Sequence, residues 1–455
     1  MPDERPDIRF AAGPFSTDRP ADPLYWDRDA LAAETRRTFE LCHSCRMCFK
    51  FCGAFPALFS AVDRAGDVRD LTEADLERIV DDCFQCKLCY TQCPYTEAEG
   101  HPFRLDFPQL VQRTKAVRRR VPWRDRLLAD PDRLARLIGP AAPLVNAIHR
   151  SPAFRRVLEW AVGVDHRKKL PEFSRRPLRA RLRGRREPTT CSGPEVVLFP
   201  TCYAEFNRPG LGEAALFVLE HNGCRVRLAR TVCCGMPALE AGHLELARRK
   251  AAANVRVLAP AAEAGLPIAV INPTCSLTLR EEVPRLLEGD GGGMAEAARR
   301  VAESVVDISL FLDRLRRDGM LREDFRSTPG GAVAYHAPCH LRAQNIGFKG
   351  RDLLRRIPGV TPRLVAECCG HDGTWSMKKR NFSASLEVGE KAFTRMRSAG
   401  AEVWVSDCPL AALQFEQACG RQVLHPVEVL ARAYREDGFP QPIPAPDGPP
   451  EKGGS

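Results

Sequence analysis

Two stretches of this chain, LCHSCRMCFKFCG and CFQCKLCYTQCPY, place four cysteines each at a spacing of two, two and three residues: Cys42, Cys45, Cys48, Cys52 and Cys83, Cys86, Cys89, Cys93. A thiolate at every third position lets a tight loop wrap three corners of a cubane. The fourth cysteine lies too far along that loop and reaches across to the other cluster. The spacing therefore predicts two 4Fe–4S clusters, one on Cys42, Cys45, Cys48 and Cys93, the other on Cys83, Cys86, Cys89 and Cys52. Zinc knuckles are the competing reading, but zinc ordinarily uses two short C-x2–4-C arms. Gly53 stands where the second run has Pro94, which alters a turn and not the ligand count. Between the runs, LTEADLERIVDD predicts a helix with a Thr72/Asp75 capping box and an apolar face of Leu76, Ile79 and Val80.

Nineteen cysteines in 455 residues need a chemical explanation. The N-terminus MPDERPDIRF has no apolar signal segment, and no apolar run reaches the roughly 18 to 20 residues of a membrane span. A cytoplasmic, reduced chain is expected, in which clustered cysteines are metal ligands and not disulfides. The length implies two to four domains.

A second cysteine pattern fills the C-terminal half. VVLFPTCY delivers Cys202, TVCCGMP gives Cys233 and Cys234, and IAVINPTCS delivers Cys275. AVAYHAPCH, AECCGHDG and VWVSDCP then supply Cys339, Cys368 with Cys369, and Cys408, displaced from the first set by 137, 135 and 133 residues. Landmarks recurring at nearly one offset indicate a duplicated domain. Strand-like runs alternating with helical ones predict an α/β layer with a parallel sheet, which builds its site at strand C-terminal ends.

The repeated C…CCG…C resembles the cysteine-rich CCG domains of heterodisulfide reductase. The N-terminal cysteine runs and helix are similar to the helical two-cluster ferredoxin modules of respiratory dehydrogenase iron–sulfur subunits. Their combination is similar to the iron–sulfur subunits of anaerobic glycerol-3-phosphate dehydrogenase, glycolate oxidase and the lactate-utilisation system, over about residues 38 to 435. The resemblance departs at one point: where the family motif ends in C-x-x-C, this chain has Thr278 and Ala411. Four cysteines per CCG motif remain (Cys202, Cys233, Cys234, Cys275; Cys339, Cys368, Cys369, Cys408), which argues against the five-cysteine non-cubane cluster and its disulfide cleavage. One or two further iron–sulfur clusters or zinc are expected there, with free buried thiols as the remaining alternative. His340 and His371 are candidates to ligate or tune such a group. Cys191, Cys224 and Cys419 fall outside the repeats and read as inert, Cys191 as the most exposed.

No G-x-G-x-x-G follows a strand, so neither FAD nor NAD is expected on this chain. Redox wiring without an organic cofactor implies a separate flavoprotein dehydrogenase subunit as donor, with a quinone or another carrier as acceptor. A thiol/disulfide reductase catalytic subunit is the rival reading, and a nucleic-acid-binding iron–sulfur protein a third. From Arg167 to Glu187, ten Lys or Arg against two acids carry +8 of the chain's +10. This reads as a solvated tether, or as a dock for an anionic membrane surface or acidic partner; nucleic acid is the weakest match, for lack of a reading motif. Upstream, the amphipathic stretch 131–164, broken by prolines, is expected to cover the ferredoxin module, with a bilayer surface anchored by Trp160 as the alternative.

The expected fold is α+β multidomain. Residues 1–25 form an N-terminal tail, 26–120 the α-helical two-cluster ferredoxin module, and 121–190 a helical and basic linker. Residues 191–325 and 326–435 form the duplicated α/β CCG domains, and 436–455 a disordered tail.

Overall fold

A computed structural model describes residues 10–118, 121–185 and 192–442. The expectations for Cys191 and for the end of the C-terminal tail fall outside the described residues.

The N-terminal module is built on helices Arg28–Cys45, Ala54–Ala65, Glu73–Asp81 and Phe107–Arg118. Their apolar faces meet at Phe39, Phe55, Leu58 and Phe107, with Phe55 and Phe107 ring centroids 4.7 Å apart. Helix Glu73–Asp81 starts at the expected capping box: Thr72 Oγ1 accepts from Asp75 N, and the Asp75 carboxylate accepts from Thr72 N. Residues 10–25 do not trail into solvent. Arg113, buried in helix Phe107–Arg118, donates to the carbonyls of Phe15, Leu24 and Tyr25. Asp18 meets Arg285 of the next domain at 3.1 Å.

The first cysteine-rich domain carries strands β1 (Glu195–Phe199), β2 (Arg225–Leu228), β3 (Ile268–Val270) and β4 (Val305–Asp307), all parallel, in the order β2-β1-β3-β4. After a short strand β5 (Ser327–Thr328), the second domain repeats this arrangement. Strands β6 (Gly331–His336), β7 (Val360–Val365), β8 (Val403–Ser406) and β9 (Val423–Leu424) lie in the order β7-β6-β8-β9, again parallel. The chain then returns as β10 (Gln441–Pro442), antiparallel to β5. Identical strand order in both sheets is what a duplication requires. The copies share one core, in which Val196 and Leu198 join Tyr335 and Val405. Across it, Tyr335 and Ser309 hydroxyls both donate to the Asp407 carboxylate.

The linker folds into helices Trp123–Leu128, Pro131–Ile138, Ala142–His149 and Pro152–Val162. It is fastened at two points: Asp130 and Asp132 each meet the buried Lys250 ammonium at 2.6 Å, and Val164 bridges to Lys378. The basic stretch that follows is not a solvated tether. Leu178 is fully buried against Gly212, where a Cβ would lie 2.4 Å from a Leu178 methyl. Lys168 donates to Gln414, Lys169 meets Glu416, and Arg179, Arg181 and Arg185 meet Glu205, Glu213 and Glu220. Four of its ten cations are therefore matched by acids of the two cysteine-rich domains, and the stretch is a strap across both.

Candidate metal centres

Helix Arg28–Cys45 ends at Arg46, whose left-handed backbone (φ 52°) turns the chain into the first cysteine loop. In the second run Gln85 and Lys87 are left-handed as well (φ 53° and 58°), which coils the backbone between Cys83, Cys86 and Cys89. The thiols sort into two small apolar cavities. Cys42, Cys45, Cys48 and Cys93 line one, and Cys52, Cys83 and Cys86 line the other; Cys89 borders both. Each run thus lends its last cysteine to the other run's cavity.

Burial, and then the neighbouring sulfurs Cys48, Cys93 and Cys45, pushes the Cys42 thiol well up. Burial and then Cys83 and Cys86 do the same to Cys52. Four mutually repelling thiolates in an apolar pocket are stable only around a cation, so these donor sets fit a bound metal group.

In the cysteine-rich domains, each thiol follows a strand end. Cys202 comes just after β1, Cys233 and Cys234 after β2, Cys275 after β3; Cys339, Cys368 with Cys369, and Cys408 follow β6, β7 and β8. The adjacent pairs share one site because the next residue is a left-handed glycine, Gly235 (φ 101°) and Gly370 (φ 70°). At Gly370 a Cβ would meet the Ser385 carbonyl oxygen at 1.9 Å. The first quartet is linked in a chain, Cys202 to Cys233 to Cys234 to Cys275, through thiol hydrogen bonds. In the second, Cys339 lies in the field of Cys368, Cys369 and Cys408. At the family's fifth-cysteine positions, Thr278 turns its hydroxyl back to the Thr274 carbonyl at 2.7 Å, and Ala411 is buried.

Both quartets open onto one cavity of about 390 Å³, which Cys86 of the N-terminal module also lines. Phe84, Cys86 and Leu88 pack directly against Cys339, Cys368 and Trp375. His340 has both ring nitrogens engaged, one with Thr274 Oγ1 and one with the Gln85 carbonyl oxygen, each at 2.9 Å. It therefore stitches the second cysteine loop to the second quartet. His371 lines the cavity, where burial lowers its pKa well below the usual range and holds it neutral. The linker helices roof the cavity with Leu128, Leu134, Ile138, Leu158 and Val162. Their outer face exposes Trp123, Leu137, Leu144 and Trp160, the last 79% accessible. Sequence reading does not find this roof, because no local pattern says which helix faces a distant cavity.

Residues 35–121 match the Citrate utilization protein B Fer4-like domain, and residues 196–280 and 333–416 each match the CCG cysteine-rich domain. The chain thus carries a Fer4-like domain followed by two CCG cysteine-rich domains. The CCG protein is 29% identical over 329 residues to a subunit of the anaerobic glycerol-3-phosphate dehydrogenase of Escherichia coli K12, covering 71% of this chain and 81% of that one. It is 28% identical to a subunit of the fumarate reductase (CoM/CoB) of Methanothermobacter marburgensis, covering 54% and 47% of the two chains. Lactate utilization protein A of Bacillus cereus G9842 is likewise 28% identical, with 47% and 87% covered. Among the described residues, no helix of the CCG protein is long and apolar enough to cross a membrane.

Proposed function

We propose that this chain is the iron–sulfur electron-transfer subunit of an oxidoreductase, taking electrons from a flavin-dependent dehydrogenase and delivering them to a quinone. The observation that carries this reading is the unbroken contact between cysteine groups. The Cys42 group shares Cys89 with the Cys83 group, whose Cys86 in turn lines the cavity holding both CCG quartets. The eight N-terminal cysteines would hold two 4Fe–4S clusters, and the CCG quartets further clusters or zinc. Such groups supply one-electron storage and exchange when bound.

The protein's part is placement and exclusion of water. Gly370 brings Cys368 and Cys369 to one point, His340 fixes the distance between module and quartet, and the apolar roof keeps the cavity dry. The dimensions and lining suit a small, largely apolar ligand with a few polar contacts. The loop at the other end, with Met47 and Phe49 exposed beside the Cys42 group, suits a protein donor. Exposed Trp123, Leu137, Leu144 and Trp160 on the roof support contact with a lipid surface from the cytoplasmic side, where a quinone dissolves.

Anaerobically purified protein tests this. It should contain at least about eight iron atoms, accept electrons from a flavoprotein donor and reduce a quinone analogue, with Cys368→Ser/Cys369→Ser slowing that reduction while the N-terminal signals persist. Catalytic reduction of a disulfide without quinone reduction would establish the thiol/disulfide reductase instead.

A further inference from the structure

Glu240 closes the short helix that begins after Cys233-Cys234-Gly235, and its side chain stands in a wall between two spaces. One is the cysteine-lined cavity. The other is a polar cleft between the N-terminal module and the cysteine-rich domains, bordered by Lys115, Asp125 and Lys378. The second cysteine-rich domain folds the loop Asp372–Gly373–Thr374 around this carboxylate. Thr374 N donates to Glu240 Oε2 at 3.5 Å, and a Cβ at position 373 would sit 2.1 Å from that same oxygen. A side chain at position 373 would displace the carboxylate from this contact. Asp372 lines the same cavity beside it.

Two carboxyls side by side in a buried wall cannot both ionise cheaply. Burial first, opposed by Lys115 and Lys378, pushes Glu240 up to about 7. Among the described residues neither is in an ion pair, whereas Glu367, the third acid lining the cavity, meets Lys391 and Arg395 at 3.1 and 2.9 Å.

We propose that Glu240 and Asp372 are the proton inlet of the shared cavity, passing protons from the polar cleft to a two-electron acceptor bound between the cysteine quartets. This rests on the quinone-reducing reading above. Conversion of a quinone to its quinol takes two electrons, supplied by the flavin-dependent donor, and two protons, one to each oxygen. The cavity's histidines, His149, His336, His340 and His371, do not border the cleft, so both come through the carboxyl pair, which is reprotonated from solvent in the cleft each time.

Infrared spectroscopy of the full-length protein reads the pair directly. The difference between wild type and Glu240→Gln should contain a protonated-carboxyl band at pH 6 that fades as the pH rises past about 7; no such difference band overturns the assignment. Kinetically, Glu240→Gln and Asp372→Asn should slow quinone-analogue reduction by about a hundredfold, with its pH dependence altered and partly restored in Glu240→Asp. Reduction of ferricyanide, which consumes no proton, should hold its rate. Equal slowing with both acceptors would make the pair structural and overturn the proposal. Quinone reduction by the wild type that is insensitive to both variants overturns the inlet alone. A wild type that does not reduce quinone overturns the acceptor reading and the inlet with it.

Discussion

Glu282→Gln is the substitution that most directly tests how the N-terminal module is held on the rest of the protein. Lys87, in the second cysteine loop, buries its ammonium between Glu281 at 2.8 Å and Glu282, and Gln109 donates to both Glu282 oxygens at 3.1 and 3.2 Å. Burial alone would raise the Glu282 pKa. The fields of Lys87 and Arg285 and the hydrogen bonds from Lys87 and Gln109 overcome this and bring it from 4.5 down to about 2. At about 1.4 kcal/mol per unit this corresponds to about 3 kcal/mol, in the range of roughly 3–5 kcal/mol for removing one partner of a buried pair. Half-exposed Glu281 stays beside Lys87 and places the expectation at the lower end. A depressed carboxylate contributes stability fully above its unfolded value of 4.5, lost as pH falls through about 2. The loss in Glu282→Gln should therefore be constant between pH 5 and 8 and shrink in acid. Urea unfolding, followed by cluster absorbance and tryptophan fluorescence, measures it. Lys87→Met with Glu282→Gln should recover part of the loss, because no buried charge is then left unpaired, Glu281 being half-exposed. A single-variant loss below about 1 kcal/mol, or a double variant worse than the sum of the singles, would refute the reasoning.

Gly370→Ala forces a Cβ into the Ser385 carbonyl at a left-handed position and should cost about 2 kcal/mol or more; metal analysis should show loss at the second CCG quartet with the N-terminal module intact. Leu178→Ala empties the Gly212 socket and should cost about 2–4 kcal/mol, seen as faster proteolysis within residues 167–185. Cys52→Ser should disturb the spectroscopic signature of the Cys83, Cys86, Cys89 group and spare that of Cys42, Cys45 and Cys48, with Cys93→Ser doing the converse. Because the Glu240 pKa is raised in the folded state, that state binds more protons than the unfolded chain between pH 4.5 and about 7. Stability from this group falls as pH rises through that window, so Glu240→Gln should gain on the wild type from pH 5 to pH 8 in thermal unfolding.

What the sequence discloses is whatever is encoded locally or by repetition. The Thr72 capping box, the strand-then-cysteine segments and the recurring CCG landmarks all rest on near neighbours or on a constant offset, and each names its own structural consequence. The relation of Cys93 to Cys42 is legible because the spacing leaves the fourth thiol no room at home. The strap across the two cysteine-rich domains reads as a tether in sequence, since ten cations within 21 residues look solvated until Glu205, Glu213, Glu220 and Glu416 are brought to four of them from other elements. Lys87 with Glu282, and Glu240 with Asp372, are 195 and 132 residues apart. Nothing in either neighbourhood announces the other, although the acid in CCGHDG, three residues past the second cysteine, is a signal that could be followed.

The cavity's roof and floor come from different parts of the chain. The floor is written in the twofold cysteine landmarks, where Gly370 and the strand ends tolerate little change. The roof is written in residues 121–164, whose inward side has only to be apolar and about the right size. Selection can therefore retune which molecule is admitted by substituting Leu134, Ile138 or Leu158 without disturbing a single cysteine. Descendants of one such scaffold would keep their wiring and diverge in diet.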